Sequence, residues 1–88
     1  MKVKIEVTEE DIKNGERWMA DKCPVALALN RKINDFNYVL YDLFETHDSR
    51  VYDVPESVGK FILKFDKTRK GKPFKFIIDV PKKYLLND

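Results

Sequence analysis

A run of seven uncharged residues, Cys23-Pro24-Val25-Ala26-Leu27-Ala28-Leu29, constrains the fold of this chain more than any other stretch. Proline is tolerated at the first position of a helix, because its missing N–H would be unpaired there in any case. Val25, Leu29 and Ile33 then recur at the spacing of one helix face. The run therefore predicts a buried helix from Pro24 to about Ile33, with the cysteine immediately before its first turn.

The length of 88 residues predicts a single domain, residues 1–88. A hydrophobic fraction of 43% with 12% aromatic residues supports a packed core and excludes disorder. The single cysteine excludes an intrachain disulfide and a cysteine metal cluster, and it fits a reducing cytoplasm. The charged N-terminus does not resemble a signal peptide, and no apolar run approaches the roughly 18–20 residues of a membrane span. We therefore predict a cytoplasmic protein without membrane contact.

The residues on either side of the Pro24 helix predict short strands. Residues 2–7 alternate between apolar and polar side chains, as a half-buried strand does. Thr8 and the acidic residues after it open a helical turn that Gly15 is predicted to end. Branched and aromatic residues predict a strand over 35–44, and residues 50–54 alternate again, so these two runs are predicted to pair as a hairpin.

The last third of the chain predicts a second helix and a final strand. Pro55 opens a helix that Gly71 is predicted to end. Its apolar face consists of Val58, Phe61, Ile62 and Phe65. Residues 72–80 alternate as the last strand, and 82–88 form a short tail that either docks on the domain or contacts a partner subunit. This order predicts an α+β fold, with a small mixed or antiparallel sheet of about four strands and two main helices on one face.

The start of the Pro24 helix is the predicted ligand site. Its first turn has no acidic side chain, so backbone N–H groups are available to an anion such as phosphate, unless water or a neighbouring loop satisfies them. Arg17 and Trp18, in the connector before it, either form a binding wall or fold over the core. The predicted ligand-binding residues are Arg17, Trp18, Cys23, Pro24, Val25, Arg69 and Lys72.

Cys23 is the nucleophile candidate at this helix start. A thiol there can have a lowered pKa, but catalysis also needs a base and an orienting group. The single histidine, His47, lies in a predicted turn, and no paired carboxylate motif, metal-ligand spacing or glycine-rich phosphate loop is found in the sequence. We therefore predict a buried, inert cysteine and a protein that is not an enzyme, with no catalytic residue, metal or cofactor.

Charge is unevenly distributed along the chain. Residues 1–49 carry a net charge of −3 and residues 50–88 a net charge of +5. The basic half could attract an anionic ligand or a nucleic acid, or it could simply keep a small domain soluble. The basic residues of interest are Lys60, Lys64, Lys67, Arg69, Lys70, Lys72 and Lys75. An isoelectric point of about 8.6 is modest for a nucleic-acid binder.

Two stretches together carry a resemblance to known proteins. The first is Ile12-x-x-Gly15 followed by Cys23-Pro24-Val25-Ala26-Leu27-Ala28, and the second runs from Val54-Pro55-Glu56 through Phe65-Asp66 to Pro73-Phe74-x-Phe76. In these motifs the chain resembles a family of small bacteriophage and prophage proteins of unassigned function. The resemblance implies a setting in the host cytoplasm, and an action by binding that counters a host defence.

The function predicted first is therefore non-enzymatic capture of a small anionic or nucleotide-derived signal, with a phosphate at the helix start and a base on Trp18. The alternative is a protein–protein inhibitor of a host defence protein, anchored by exposed aromatic residues such as Trp18, Tyr38, Tyr41 or Tyr84. A nucleic-acid-binding accessory protein is a further alternative. A homo-oligomer is predicted in each case, because a domain this small gains buried area by self-association.

Overall fold

The computed structural model of the chain describes residues 1–86 and has the predicted α+β class. Its elements in chain order are β1 (Lys2–Val7), α1 (Glu9–Asn14), α2 (Pro24–Lys32), β2 (Phe36–Val39), β3 (Leu43–Thr46), β4 (Val51–Asp53), α3 (Glu56–Thr68), β5 (Phe74–Asp79) and a 3-10 turn at Lys82–Tyr84. None of the helices among the described residues has the length and apolar character needed to cross a membrane.

The strands form two antiparallel sheets, where the sequence predicted one sheet of about four strands. β1 pairs with β5, and β3 lies between β2 and β4. β4 has only three residues and leads through Val54 into Pro55. β4 lies near β5 but no ladder joins the two strands, and Pro55 has no N–H with which a ladder could be extended beyond β4.

The single strand predicted over residues 35–44 is wrong, because the chain reverses within it. The N–H of Leu40 donates to the carbonyl of Leu43 at 2.7 Å and closes a turn around Tyr41 and Asp42. The turn is hard to see in the sequence because leucine and tyrosine also favour strands. The predicted pairing with residues 50–54 is confirmed only for the end of that run, since Leu43 and Phe44 of β3 pair with Asp53 and Tyr52 of β4.

α1 and α2 begin where they were predicted to begin. Thr8 and Asp11 form a capping box at the start of α1, and α2 starts at Pro24 and packs on α1, β1 and β2. The predicted residues Val25 and Leu29 are buried, together with Ala26 and Ala28, and so is Ile33 directly after the helix. Gly15 follows α1 with a φ of −71°, a value that any residue can adopt, so a left-handed backbone is not the reason why this position is a glycine. A Cβ at this position would lie 2.5 Å from Cδ of Pro24, and only glycine allows the two helices to meet this closely.

α3 has the predicted apolar face, but it ends before the predicted glycine. Val58, Ile62 and Phe65 are buried, and the helix stops at Thr68. Arg69, rather than Gly71, takes the left-handed conformation that ends the helix, with a φ of 59°. The hydrogen bonds of its guanidinium group, described below, hold it there.

The tail after β5 docks on the domain, which is the first of the two outcomes predicted for it. Tyr84 is buried, and its hydroxyl donates to Oδ2 of Asp48 at 2.6 Å. Leu85 forms a bridge with Ile33 at the end of α2. The two last residues of the predicted tail, 87–88, lie outside the described residues.

Candidate functional site

Trp18 combines an exposed aromatic side chain with an unusual backbone conformation. Its side chain is 60% exposed, and its backbone has a φ of 62°, in the left-handed region that disfavours residues with a large side chain. Its N–H donates to Oδ1 of Asp66 at 2.8 Å. A hydrogen bond to a carboxylate from α3 thus holds an exposed aromatic ring in a strained backbone conformation.

Two adjoining hollows lie beside α3. The larger one, the α3 groove, has a volume of about 680 Å³, and its lining is Tyr41, Asp42, Val54, Glu56, Gly59, Lys60 and Leu63. The smaller one, the Trp18 cleft, has a volume of about 130 Å³, and its lining is Trp18, Met19, Ala20, Cys23, Val39, Leu40, Tyr41, Ile62 and Asp66. Tyr41 belongs to both hollows and forms the wall between them.

Gly59 is what brings the turn around Tyr41 so close to α3. A Cβ at this position would lie 2.5 Å from the carbonyl oxygen of Tyr41. Such a distance cannot be accommodated without moving the backbone of one element or the other. The glycine therefore determines where Tyr41 stands, and with it the shape of both hollows.

Large apolar side chains around the two hollows are exposed to solvent. They are Trp18 at 60%, Met19 at 39%, Leu40 at 43%, Tyr41 at 46% and Leu63 at 43% exposure. Because the two hollows share Tyr41, these side chains form one continuous surface, which we call the apolar face. Scattered exposed apolar residues are normal on proteins, but a continuous group of this size is typical of an interaction site.

The two arginines predicted to bind a ligand are engaged in holding helix ends. Arg17 donates from Nε to the carbonyl of Asp66 at 2.7 Å and from Nη2 to that of Lys67 at 3.0 Å, at the C-terminal end of α3. Arg69 donates to the carbonyls of Ile12 and Lys13 at the end of α1, at 3.3 and 3.0 Å. Each guanidinium group complements the negative end of a helix.

The three predicted residues at the start of α2 are buried. Pro24 packs against Gly15, Val25 is fully buried, and only Cys23 reaches a hollow, with 3% of its surface exposed. Burial raises the pKa of the Cys23 thiol above its ordinary value. The backbone N–H groups of Ala26 and Val25 lower the pKa by a smaller amount, and the negative charge of Asp66 raises it further. The thiol is therefore neutral near pH 7, as expected of an inert cysteine.

Lys72 lies in a different place from the other predicted ligand residues. It borders a third hollow, the basic groove, with a volume of about 360 Å³. The groove is lined by Ser57, Lys60, Phe61, Lys64, Gly71, Lys72, Pro73 and Phe74. The structure thus brings Trp18 and Cys23 together in one cleft, and it separates them from Lys72.

Asp66 and Leu63 are the important residues that sequence reasoning missed. Asp66 lies on the buried face of α3, together with Ile62 and Phe65. A carboxylate at a position where the helical spacing predicts burial was the sequence signal for it. Leu63 lies outside the buried side of α3, on the solvent side with the lysines. An apolar residue among these lysines was the sequence signal for it. Among residues 1–86, no group of three or more His, Cys, Asp or Glu side chains is placed to hold a metal ion.

Comparison with protein-family models, with curated proteins and with solved structures found no match for this chain.

Proposed function

We propose that this chain is a non-enzymatic binding module that docks a protein partner on the apolar face. The observation that carries the proposal is the continuity of this face. Trp18 and Leu40 border the Trp18 cleft, Leu63 borders the α3 groove, and Tyr41 joins the two. Exposed Trp and Tyr side chains beside apolar hollows are the residues that most often dominate the energy of protein–protein interfaces.

The partner we propose is a host defence protein, as the resemblance to small phage proteins implies. This is the second of the functions predicted from the sequence. It is preferred to capture of an anion at the start of α2 because the carboxylate of Asp66 lies beside Cys23 there and would repel an anion. Arg17 and Arg69, the cations assigned to that ligand, donate to helix carbonyls instead.

The test uses one substitution on the apolar face and a matched one elsewhere. Leu63→Asp places a charge in the α3 groove, whereas Ile77→Asp places the same charge on β5, where an isoleucine of similar exposure (48%) lines neither the groove nor the cleft. Proteins that the wild-type chain retains from a bacterial host lysate are identified, and the complex is rebuilt from purified components. We expect Leu63→Asp to weaken the rebuilt complex at least about tenfold and Ile77→Asp to leave it within about twofold.

The proposal fails if no complex can be rebuilt, or if both substitutions weaken it equally. A second copy of this chain is a competing occupant of the apolar face. Sedimentation of the purified protein distinguishes the two, because a dimer that Leu63→Asp dissociates would assign the face to self-association instead of a host partner.

Binding of a small anionic or nucleotide-derived ligand is a second candidate function, and the basic groove favours it. Lys60, Lys64 and Lys72 border this groove, and Phe61 and Phe74 form part of its wall with ring centres 4.8 Å apart. Cations for a phosphate and an aromatic surface for a base are thus found together.

Calorimetric titration with cyclic nucleotides and ADP-ribose tests this candidate. We expect the wild-type protein to bind one of these nucleotides. The double substitution Lys64→Gln/Lys72→Gln should abolish the binding, whereas Lys2→Gln/Lys4→Gln, at two lysines outside the groove, should leave it unchanged. The absence of heat with every one of these nucleotides, from folded protein, would eliminate the second function and leave the first one standing.

A further inference from the structure

Asp66 is a buried carboxylate without a cation. Only 4% of the residue is exposed, and Oδ1 accepts the N–H of Trp18 at 2.8 Å. Within the described part of the chain, no side-chain nitrogen of Lys, Arg or His lies within 4.0 Å of its oxygens. Arg17 binds the backbone carbonyl of Asp66 but does not form an ion pair with its carboxylate. Carboxylates this deeply buried are normally paired.

Asp11 shows what such a group ordinarily has in this protein. It is equally buried, at 4% exposure, and Arg31 donates to both of its oxygens, at 2.7 and 2.8 Å. Asp66 has the same burial and no such partner. The difference in surroundings is that Asp66 borders the Trp18 cleft, through which a cation from outside can reach it.

The Trp18 cleft has the size and the chemistry to accept one cationic side chain. Its volume of about 130 Å³ is small, and Cys23 and Ile62 give it apolar walls. Its lining also includes Trp18, which is exposed and has an aromatic ring on which a cation can stack, and Asp66, which is buried and carries a carboxylate. At the neighbouring α3 groove the charges are those of Asp42, Glu56 and Lys60, and Lys60 lies 3.8 Å from the Glu56 carboxylate. The side chains that line the two hollows thus carry three negative charges and one positive charge, and the nearby Arg17 guanidinium is engaged with the carbonyls of Asp66 and Lys67.

We propose that the Trp18 cleft receives the guanidinium group of an arginine on the docked partner. The guanidinium would stack on Trp18 and donate to Oδ2 of Asp66, while Oδ1 keeps its bond to the Trp18 N–H. Arginine fits better than lysine because its planar, weakly hydrated head can stack and donate at the same time. The inference rests on the proposed function, since the arginine belongs to the protein that covers the apolar face.

The probe is N-acetylarginine amide, and its control is N-acetylcitrulline amide, which has a similar shape and no charge. Trp18 is the only tryptophan of the chain, so its fluorescence reports on the cleft directly. We expect the arginine probe to shift the emission with an affinity at least about fivefold higher than citrulline amide or N-acetyllysine amide. Asp66→Asn, which keeps an oxygen for the Trp18 N–H, should reduce the arginine response to the citrulline level.

Equal responses to arginine and citrulline in the wild-type protein would overturn the inference, whatever the variant does. An equal response to lysine would overturn the preference for arginine. An unchanged arginine response in Asp66→Asn would also contradict it. The proposed function is tested separately by Leu63→Asp and Ile77→Asp, because those substitutions leave Asp66 and Trp18 in place. Loss of the arginine response therefore does not imply loss of the docking surface. Failure of the Leu63→Asp test would remove the partner that supplies the arginine, but it would not change the response of the Trp18 cleft to the free probe.

Discussion

Replacing Trp18 by glycine is expected to weaken partner binding at least about thirtyfold while the folded protein loses no stability. The ring that leaves is 60% exposed and contributes little burial to the free chain, whereas a buried tryptophan in an interface contributes about 2 kcal/mol or more. The backbone at this residue has a φ of 62°, which glycine adopts without strain. We therefore expect the free energy of unfolding to rise by between zero and about 1 kcal/mol.

Trp18→Ala separates the two effects. Alanine also removes the ring, but it retains the Cβ that makes a φ of 62° unfavourable. Urea unfolding should therefore place Trp18→Ala below Trp18→Gly in stability, while both bind the partner equally poorly. A Trp18→Gly protein that binds normally would show that the ring does not contact a partner. A loss of more than about 2 kcal/mol in the free energy of unfolding would show that the ring stabilises the fold.

Replacing Asp11 by alanine is expected to lower the free energy of unfolding by about 2 kcal/mol at pH 7. The substitution removes an N-terminal helix cap, in which Asp11 Oδ2 accepts the N–H of Thr8 at 2.9 Å. It also removes the two hydrogen bonds from Arg31. Because the Arg31 side chain is about half exposed, the charge left behind is solvated and the loss stays below that of a fully buried pair.

The effect of Asp11→Ala should depend on pH. Burial by itself would raise the pKa of Asp11, but the hydrogen bonds from Arg31 and Thr8 hold it below the ordinary value of 3.8. A carboxylate whose pKa is lower in the folded state stabilises the fold fully above its unfolded pKa and loses that effect as the pH falls through the folded pKa. The stability difference between wild type and Asp11→Ala should therefore narrow below about pH 4.

Urea unfolding at pH 7, 4 and 2.5 measures this difference, with Glu10→Ala as the control. Glu10 lies in the same helical turn and is exposed, so its removal should change stability by no more than about 0.5 kcal/mol at any of these pH values. Asp48 and Asp79 also have lowered pKa values, but both proteins retain them and their effects cancel. A difference that stays constant with pH would contradict the role given to the Asp11 carboxylate.

Local patterns were enough to predict much of this fold. β1, α2, α3 and β5 lie where alternation, helical spacing and proline positions predicted them. Each of these signals depends on neighbours within a few residues along the chain, so the sequence displays it directly. The turn at Tyr41 and Asp42 was missed because its residues resemble those of the strands on both sides, and its position depends on Gly59 in a distant helix.

The candidate site was predicted only in part, for the same reason. Trp18 was singled out from its residue type and its place in a connector, and its exposure shows that the side chain does not fold over the core, which was the alternative. Arg17 and Arg69 were grouped with it because they are cationic, yet the structure directs them to the ends of α3 and α1. The sequence shows that a residue is cationic, but it does not show whether its side chain will bind the carbonyl groups at a helix end of the same protein.

The amino-acid sequence by itself determined the class of the fold, the helix that begins at Pro24 and the face that α3 buries. Only the tertiary structure decided that the Asp66 carboxylate accepts the N–H of Trp18, and that Tyr41 joins two hollows into one apolar face. The physical reason is the range of the interactions. Hydrophobic periodicity and helix capping act between residues a few positions apart, whereas Trp18 and Asp66 are 48 positions apart and meet only when the core has formed.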